Sequence, residues 1–374
     1  MRKYRVGIIG FAHMHVNYLA AEFAAHPQAE LICCADTVPQ RPELREGPHT
    51  RAWNLRHAVE KLGVRNTYDD YRKMLAEQRP DIVISCAENS AHAQVTEACA
   101  AAGAHVCFEK PMAGTLQDAL RMVRAARAAG TTLVINWPLA WDGACRKAKQ
   151  LIDAGAIGRI LQLKWRAGHT GPLGPGAKHA GVPDTAAPLS TNELAATWWH
   201  HDSAGGGAFL DYCCYGCMLA RWYLDQPAIS AVGMRCNLSS QWSDSDDNGA
   251  MIVRFPQAYG IFEASWTQLD PGVPYGPILY GTTGTLVVEA REGRRVVRIE
   301  RGGGRSEIHE PDPPRPGRDQ VAVEMIHHLQ TDEPLPPMIE MTFNLDVMAI
   351  LDAGFRATNS GRMELVDNAA WRMG

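Results

Sequence analysis

Apolar and polar positions follow two different rhythms along the chain. Over the first 137 residues, short apolar runs alternate with longer stretches of helical spacing. Runs at 4–9, 30–35, 81–86, 105–108 and 132–135 predict buried strands, and a short strand is expected near Thr67. Between them, the spacing predicts helices over 14–25, 52–62, 71–77, 91–102 and 116–129. Gly103 and Gly130 follow the last two helices, where a left-handed residue ends a helix without strain. Strands alternating with helices specify a parallel α/β sheet.

The rhythm changes after residue 137. A helix is expected over 145–154 and a strand of alternating pattern over 159–166. Residues 168–188 are rich in Gly, Pro and Ala and read as a long loop over a site. A helix near 217–224 precedes strands at 228–237, 250–255, 260–267, 278–280, 285–289 and 296–300. Consecutive strands with short turns predict an antiparallel sheet. Two helices, near 320–329 and 343–357, close the chain. The fold class is therefore α/β, with a parallel α/β domain over 1–137 and an α+β domain with a large, mainly antiparallel sheet over 138–374.

Composition narrows the function. A chain of 374 residues is long for one core, which agrees with two domains. Charged residues make up 21% and the formal net charge is -4, so no basic excess points to nucleic acid or to a membrane surface. The apolar run near the start is short and broken by two glycines, unlike a signal peptide, and no run approaches the roughly 18 residues of a membrane span. A cytoplasmic protein is expected. Ten cysteines do not form a secreted framework in so large a chain. Cys214 and Cys217 make a lone CxxC, read as small residues at a helix start rather than a zinc site.

Candidate chemistry begins at the first turn. Gly7-Ile8-Ile9-Gly10-Phe11-Ala12-His13-Met14-His15 follows a strand and opens a helix. A pyrophosphate needs such a turn, with backbone amides at a helix N-terminus. Ala12 and His15 replace the second and third glycines of the usual fingerprint. Asp36 lies 21 residues beyond His15 at the end of the second strand, close to the offset of the acid that binds the adenosine ribose. Gly10, Phe11, Ala12, His13, Asp36 and Thr37 are the expected cofactor contacts. An acid at Asp36 repels a 2′-phosphate and favours NAD, while Arg41 nearby keeps NADP open. His13 and His15 invite a metal reading, but the sequence places no acidic or cysteine partner beside them. They are read as polar lining of the cofactor mouth, with no metal expected.

Glu109-Lys110-Pro111 follows a buried strand, at the strand end where open α/β sheets hold ligands. These residues, Cys86-Ala87-Glu88-Asn89-Ser90-Ala91-His92, the run Ala102 to Pro111, Gly205-Gly206-Gly207-Ala208-Phe209-Leu210-Asp211 and Gly281-Thr282-Thr283-Gly284-Thr285 together resemble one family. It is that of glucose-fructose oxidoreductase, inositol dehydrogenase and the rhizopine-catabolism oxidoreductases (Gfo/Idh/MocA), and the resemblance covers essentially the whole chain. It implies a Rossmann domain followed by a large open sheet through which copies assemble as a homo-dimer or homo-tetramer. It implies Lys110 as the catalytic lysine, Asp211 as the active-site aspartate, and Asn89, His92 and Glu109 around the nicotinamide ribose. Four residues after Asp211 many members carry a histidine. Here Tyr215 stands there, as in a branch where tyrosine moves the proton.

On a helix, Asp211 and Tyr215 are i, i+4 neighbours able to face one pocket. A Lys110 ammonium and the cationic nicotinamide ring are expected to lower the tyrosine pKa toward neutrality. Trp137, His169, Trp199, His200 and His201 are substrate-side candidates, since aromatics stack on sugar faces and histidines bond hydroxyls. The expected activity is NAD(P)-dependent hydride transfer on a sugar, glycoside or cyclitol. An NAD-cycling enzyme that cleaves or eliminates glycosides, and a non-catalytic nucleotide-binding regulator, are the alternatives.

Overall fold

The computed structural model describes residues 3–174, 188–270, 272–314 and 317–367. The first unit runs β1 (Tyr4–Ile9), α1 (Val16–Ala25), β2 (Ala29–Ala35), α2 (Arg51–Glu60), β3 (Asn66–Tyr68) and α3 (Tyr71–Gln78). It continues with β4 (Ile82–Ser85), α4 (His92–Ala101), β5 (His105–Glu109), α5 (Leu116–Ala129) and β6 (Leu133–Asn136). The strands form one six-stranded sheet in the order β3-β2-β1-β4-β5-β6, every pair parallel. Strands covered on both faces read as near-continuous apolar runs, and β4 is buried along its whole length. The order reverses between β1 and β4, which leaves a crevice beyond their C-terminal ends.

Local chemistry sets several boundaries. The Asp70 and Thr115 side chains accept backbone N–H bonds at the starts of α3 and α5, and left-handed Gly130 ends α5. Helix α1 starts at Val16 rather than at residue 14, because Met14 and His15 still belong to the turn.

The second unit runs α6 (Gly143–Asp153), β7 (Ile160–Gly168), α7 (Thr191–Ala195), a π-helical turn (Phe209–Cys213) and α8 (Cys214–Leu224). Then come β8 (Ser230–Cys236), β9 (Asn248–Arg254), β10 (Tyr259–Ser265), β11 (Ile278–Gly281), β12 (Thr285–Arg291), β13 (Arg294–Glu300) and β14 (Ser306–His309). Helices α9 (Val321–Thr331) and α10 (Met341–Ser360) and the short β15 (Glu364–Leu365) complete it. Nine strands form one sheet in the order β14-β13-β12-β11-β7-β10-β9-β8-β15. All its neighbours are antiparallel except β7 and β10. The expected loop over 168–188 lies in large part outside the described residues.

The helix expected near 217–224 begins earlier than predicted. The π-helical turn carries it back to Phe209, immediately after the glycines. Helix α8 lies tightly on the sheet: a Cβ at Gly216 would sit 2.3 Å from the Phe262 ring of β10. Cys213, Cys214 and Cys217 are buried along this turn and helix. Helix α10 packs on α8, on β8 and on α5 of the first unit. Across that seam Trp137 Nε1 donates to Asn344 Oδ1 at 2.7 Å, which ties the end of the first sheet to the last long helix. None of the described helices is long and apolar enough to cross a membrane.

Candidate active site

The turn after β1 is built for close approach. Gly10 has φ +86°, and a Cβ there would lie 2.6 Å from Ala87. Only glycine accepts that conformation and that contact together. His13 N–H donates to Cys86 O at 2.9 Å, and Trp198 Nε1 donates to Ala12 O at 2.9 Å. The turn is thus clamped between β4 and the second unit. Phe11 is fully buried, so its side chain faces the core and only its backbone can serve a cofactor.

At the β2 end, Asp36 Oδ1 accepts the Phe11 N–H at 2.9 Å and the Thr37 N–H at 2.8 Å. Arg51, the first residue of α2, donates to the same oxygen at 2.6 Å and pairs with Glu88. Thr37 Oγ1 donates to Glu88 Oε2 at 2.9 Å. Burial pushes the nearby Glu43 carboxyl up to about 7. Sequence reasoning placed Arg41 as the basic neighbour of Asp36. The structure adds a second one: buried Arg51 sits on the carboxylate, and exposed Arg41 lines the same small cavity as Arg51, Glu43 and Glu88. Arg51 carried no sequence signal, because a loop of fifteen residues separates it from β2.

The second centre is Lys110, beyond the C-terminal end of β5. It is 4% exposed, and its Nζ donates to Asp211 Oδ1 at 2.6 Å and Asp211 O at 3.3 Å. The other Asp211 oxygen accepts Trp266 Nε1 at 3.1 Å. Burial is the largest single effect and works against the ammonium, but the Asp211 carboxylate, with Tyr215, Cys214 and Glu109 adding to it, holds Lys110 well above its usual range. Burial likewise opposes the Asp211 anion, and Lys110 and then His169 hold it below the usual carboxylate range. The pair is therefore charged at neutral pH.

Lys110 Nζ stands 4.9 Å from the centroid of the Tyr215 ring, a cation–π distance. Tyr215 is packed between Trp137 at 5.3 Å and Trp165 at 5.7 Å. The π-helical turn brings Asp211 and Tyr215 to the same ammonium. One expectation is overturned: burial raises the Tyr215 pKa, and the lowering by Lys110 is the smaller effect. The phenol is neutral at neutral pH.

Other predicted residues separate. Asn89 Nδ2 donates to Gly205 O at 2.7 Å and faces one small cavity with His13, Lys110, Trp199 and Asp211. His92 does not face it. It is 1% exposed, and its ring nitrogens lie against Met112 O and Ala87 O, so it braces the turn after Lys110 instead of touching a ribose. Trp137 is fully buried beneath Tyr215, and supports that ring rather than a sugar. His200 is buried between Trp242 and Trp266, which holds its pKa down to about 4. His201 lies 3.2 Å from Asp244 and lines a cavity with Arg51 and Glu88, on the adenosine side and away from Lys110. His169 stacks edge-on to Tyr212 at 5.2 Å, within electrostatic range of Asp211 and Lys110. Gly171 N–H donates to its Nδ1 at 2.9 Å. The neutral ring therefore carries its proton on Nε2 and acts as a donor. Tyr212, Trp165 and Trp266 went unnoticed in the sequence, though alternation along β7 already turns Trp165 inward.

His13 and His15 also depart from the sequence reading. Glu109 meets them: His15 Nδ1 is 3.1 Å from Glu109 Oε1, and the two histidine rings are 4.2 Å apart. Glu109 is an acidic partner that chain order could not place, because β5 lies nearly a hundred residues away.

A parallel sheet with a glycine turn at its switch point, an acid at the β2 end and a buried lysine beyond β5 define a nicotinamide-type dinucleotide oxidoreductase. Residues 4–137 match the oxidoreductase family with NAD-binding Rossmann fold, and residues 145–287 match the GFO/IDH/MocA C-terminal domain. The chain belongs to the Gfo/Idh/MocA oxidoreductase family. It is 32% identical to myo-inositol 2-dehydrogenase of Thermotoga maritima over 121 residues, 32% of this chain and 36% of that protein. The chain thus spans little more than a third of that relative's length. It is 24% identical to scyllo-inositol 2-dehydrogenase (NAD(+)) of Bacillus subtilis over 370 residues, 96% of this chain and 94% of that one. Aldose-aldose oxidoreductase of Caulobacter crescentus shares the fold, with a TM-score of 0.75 at 20% identity, over 97% of this chain and 100% of that one.

Proposed function

We propose that the protein moves a hydride between NAD and a hydroxyl-bearing carbon of a sugar, glycoside or cyclitol. The observation that carries this reading is the buried Lys110 ammonium, fixed by Asp211 and stacked over Tyr215 in the crevice of the first sheet. The Gly10 turn fits a pyrophosphate, and Asp36 fits a ribose diol. When bound, the nicotinamide gives or takes the hydride. Lys110 holds the substrate oxygen and Asp211 holds Lys110. Tyr215, at the place where many members carry histidine, exchanges the proton. Names of relatives that act on inositols and aldoses support a polyol substrate. On the second sheet, Val232 and Ile252 are exposed cross-strand partners, and Met234 continues their row. This apolar row supports a homo-oligomer.

The test is a screen of sugars, glycosides and cyclitols with NAD, followed as NADH absorbance and product mass. A turned-over polyol with stoichiometric NADH is the expected result. Tight NAD binding without turnover on any of them would favour a regulator.

The adenosine end predicts cofactor choice. Asp36, Glu43 and Glu88 surround Arg51, so carboxylates outnumber the cation. NADH should bind at least about tenfold more tightly than NADPH, a gap of about 1.4 kcal/mol. Glu88→Gln frees part of the guanidinium for a 2′-phosphate and should narrow that gap about tenfold. Fluorescence titration of both reduced cofactors reads it, and equal binding by the unaltered protein would refute the assignment.

A further inference from the structure

We propose that His13, His15 and Glu109 form a binding site for a divalent first-row transition metal at the mouth of the cofactor crevice. One nitrogen from each histidine and one oxygen from Glu109 lie within 4.8 Å of one another, and among the described residues no other group of three such side chains converges. Two imidazoles and a carboxylate suit zinc, manganese or iron, and they leave coordination positions open.

The surroundings are those of a ligating carboxylate. Glu109 is 1% exposed, and its Oε2 accepts Tyr18 Oη at 3.3 Å and Asn136 Nδ2 at 3.2 Å. These bonds turn Oε1 toward His15, as outer partners orient ligands in metal sites. Buried charges are paired or coordinate a metal. The neighbouring cation, Lys110, is committed to Asp211, and the ion pair of Glu109 is with a histidine that is charged only when protonated. A metal would bridge His15 Nδ1 and Glu109 Oε1, now 3.1 Å apart. Bonds of about 2.0–2.1 Å in a tetrahedron set ligand atoms about 3.3–3.4 Å apart, so small side-chain movements suffice. One weak contact is lost. Whichever nitrogen of His13 ligates, its Nδ1 can no longer accept the His15 N–H, now at 3.1 Å.

His13 lines the same cavity as Lys110 and Asp211, so the open positions lie beside the proposed reacting centre. A vicinal diol is the chemistry they would take.

The full-length protein, freed of metal by chelator, is titrated with Zn2+ and separately with Co2+. The expected result is one metal per chain by elemental analysis, with visible cobalt bands of mixed nitrogen and oxygen ligation. His13→Ala, His15→Gln and Glu109→Gln should each weaken zinc at least tenfold, and His57→Gln, on helix α2 and outside the cluster, should not. Thermal melts check folding, and His15, the most exposed of the three, gives the variant least disturbing to the core. The absence of stoichiometric metal, or unchanged affinity in His15→Gln and Glu109→Gln, would overturn the proposal.

Discussion

Lys110→Met is expected to lower turnover by about 10²–10⁴-fold, the range for loss of a positioned proton-transfer or charge-stabilising group. Methionine keeps the length of the side chain and removes the ammonium. The loss should fall on kcat, with NADH affinity changed little, because the adenosine end is held by Gly10, Asp36 and the turn amides. The substitution also strands Asp211. Breaking a buried ion pair on one side costs about 3–5 kcal/mol, and Trp266 Nε1 alone cannot compensate the carboxylate. Lys110→Met with Asp211→Asn separates the two effects. The double variant should regain most of the melting temperature lost by the single one and none of the turnover. Full activity in a folded Lys110→Met protein would remove Lys110 from the chemistry.

The chain's pattern shows why that lysine could be found in advance and other residues could not. Five buried strands and one short exposed strand, separated by helical spacing, specify a parallel sheet, and its switch point puts the Gly10 turn, Asp36 and Lys110 on one edge. Those features are local: each is a residue type at the end of a strand. What chain order hides is what crosses the fold. Arg51 reaches Asp36 from beyond a loop, Glu109 meets His15 from another strand, and Trp266 supports Asp211 from the second sheet. Helix α8 misled for a different reason. Glycines at 205–207 punctuate the chain, and Asp211, Tyr212 and two cysteines are poor helix formers, so the π-helical turn looks like loop. That turn nonetheless aims Asp211 and Tyr215 at one ammonium. Residue type alone does not separate the histidines. Burial then sorts them: His92 braces a turn, His200 fills a tryptophan cage, and His169 stays near Lys110.

Tyr215→Phe is the second large effect expected, and pH gives its sign. Burial raises the Tyr215 pKa above its ordinary value, and Asp211 raises that of Lys110. Both groups therefore keep their protons through neutrality and are set up as donors. Reduction of a keto-sugar needs a donor, so its rate should be flat across neutral pH and fall only in alkali. Oxidation of the hydroxyl needs the deprotonated form, so its rate should climb as pH rises from about 7 toward 10, with a slope near one decade per unit. The cationic ring of bound NAD stabilises the phenolate and moves that climb toward lower pH, without reversing its direction. With phenylalanine the ring under Lys110 remains, so cation–π packing and fold persist, while the hydroxyl is gone. Turnover in both directions should drop by about 10²-fold or more, and the alkaline climb of oxidation should disappear. A Tyr215→Phe protein that keeps its rate and its climb would assign the proton to Lys110 and leave Tyr215 as the surface on which the ammonium rests.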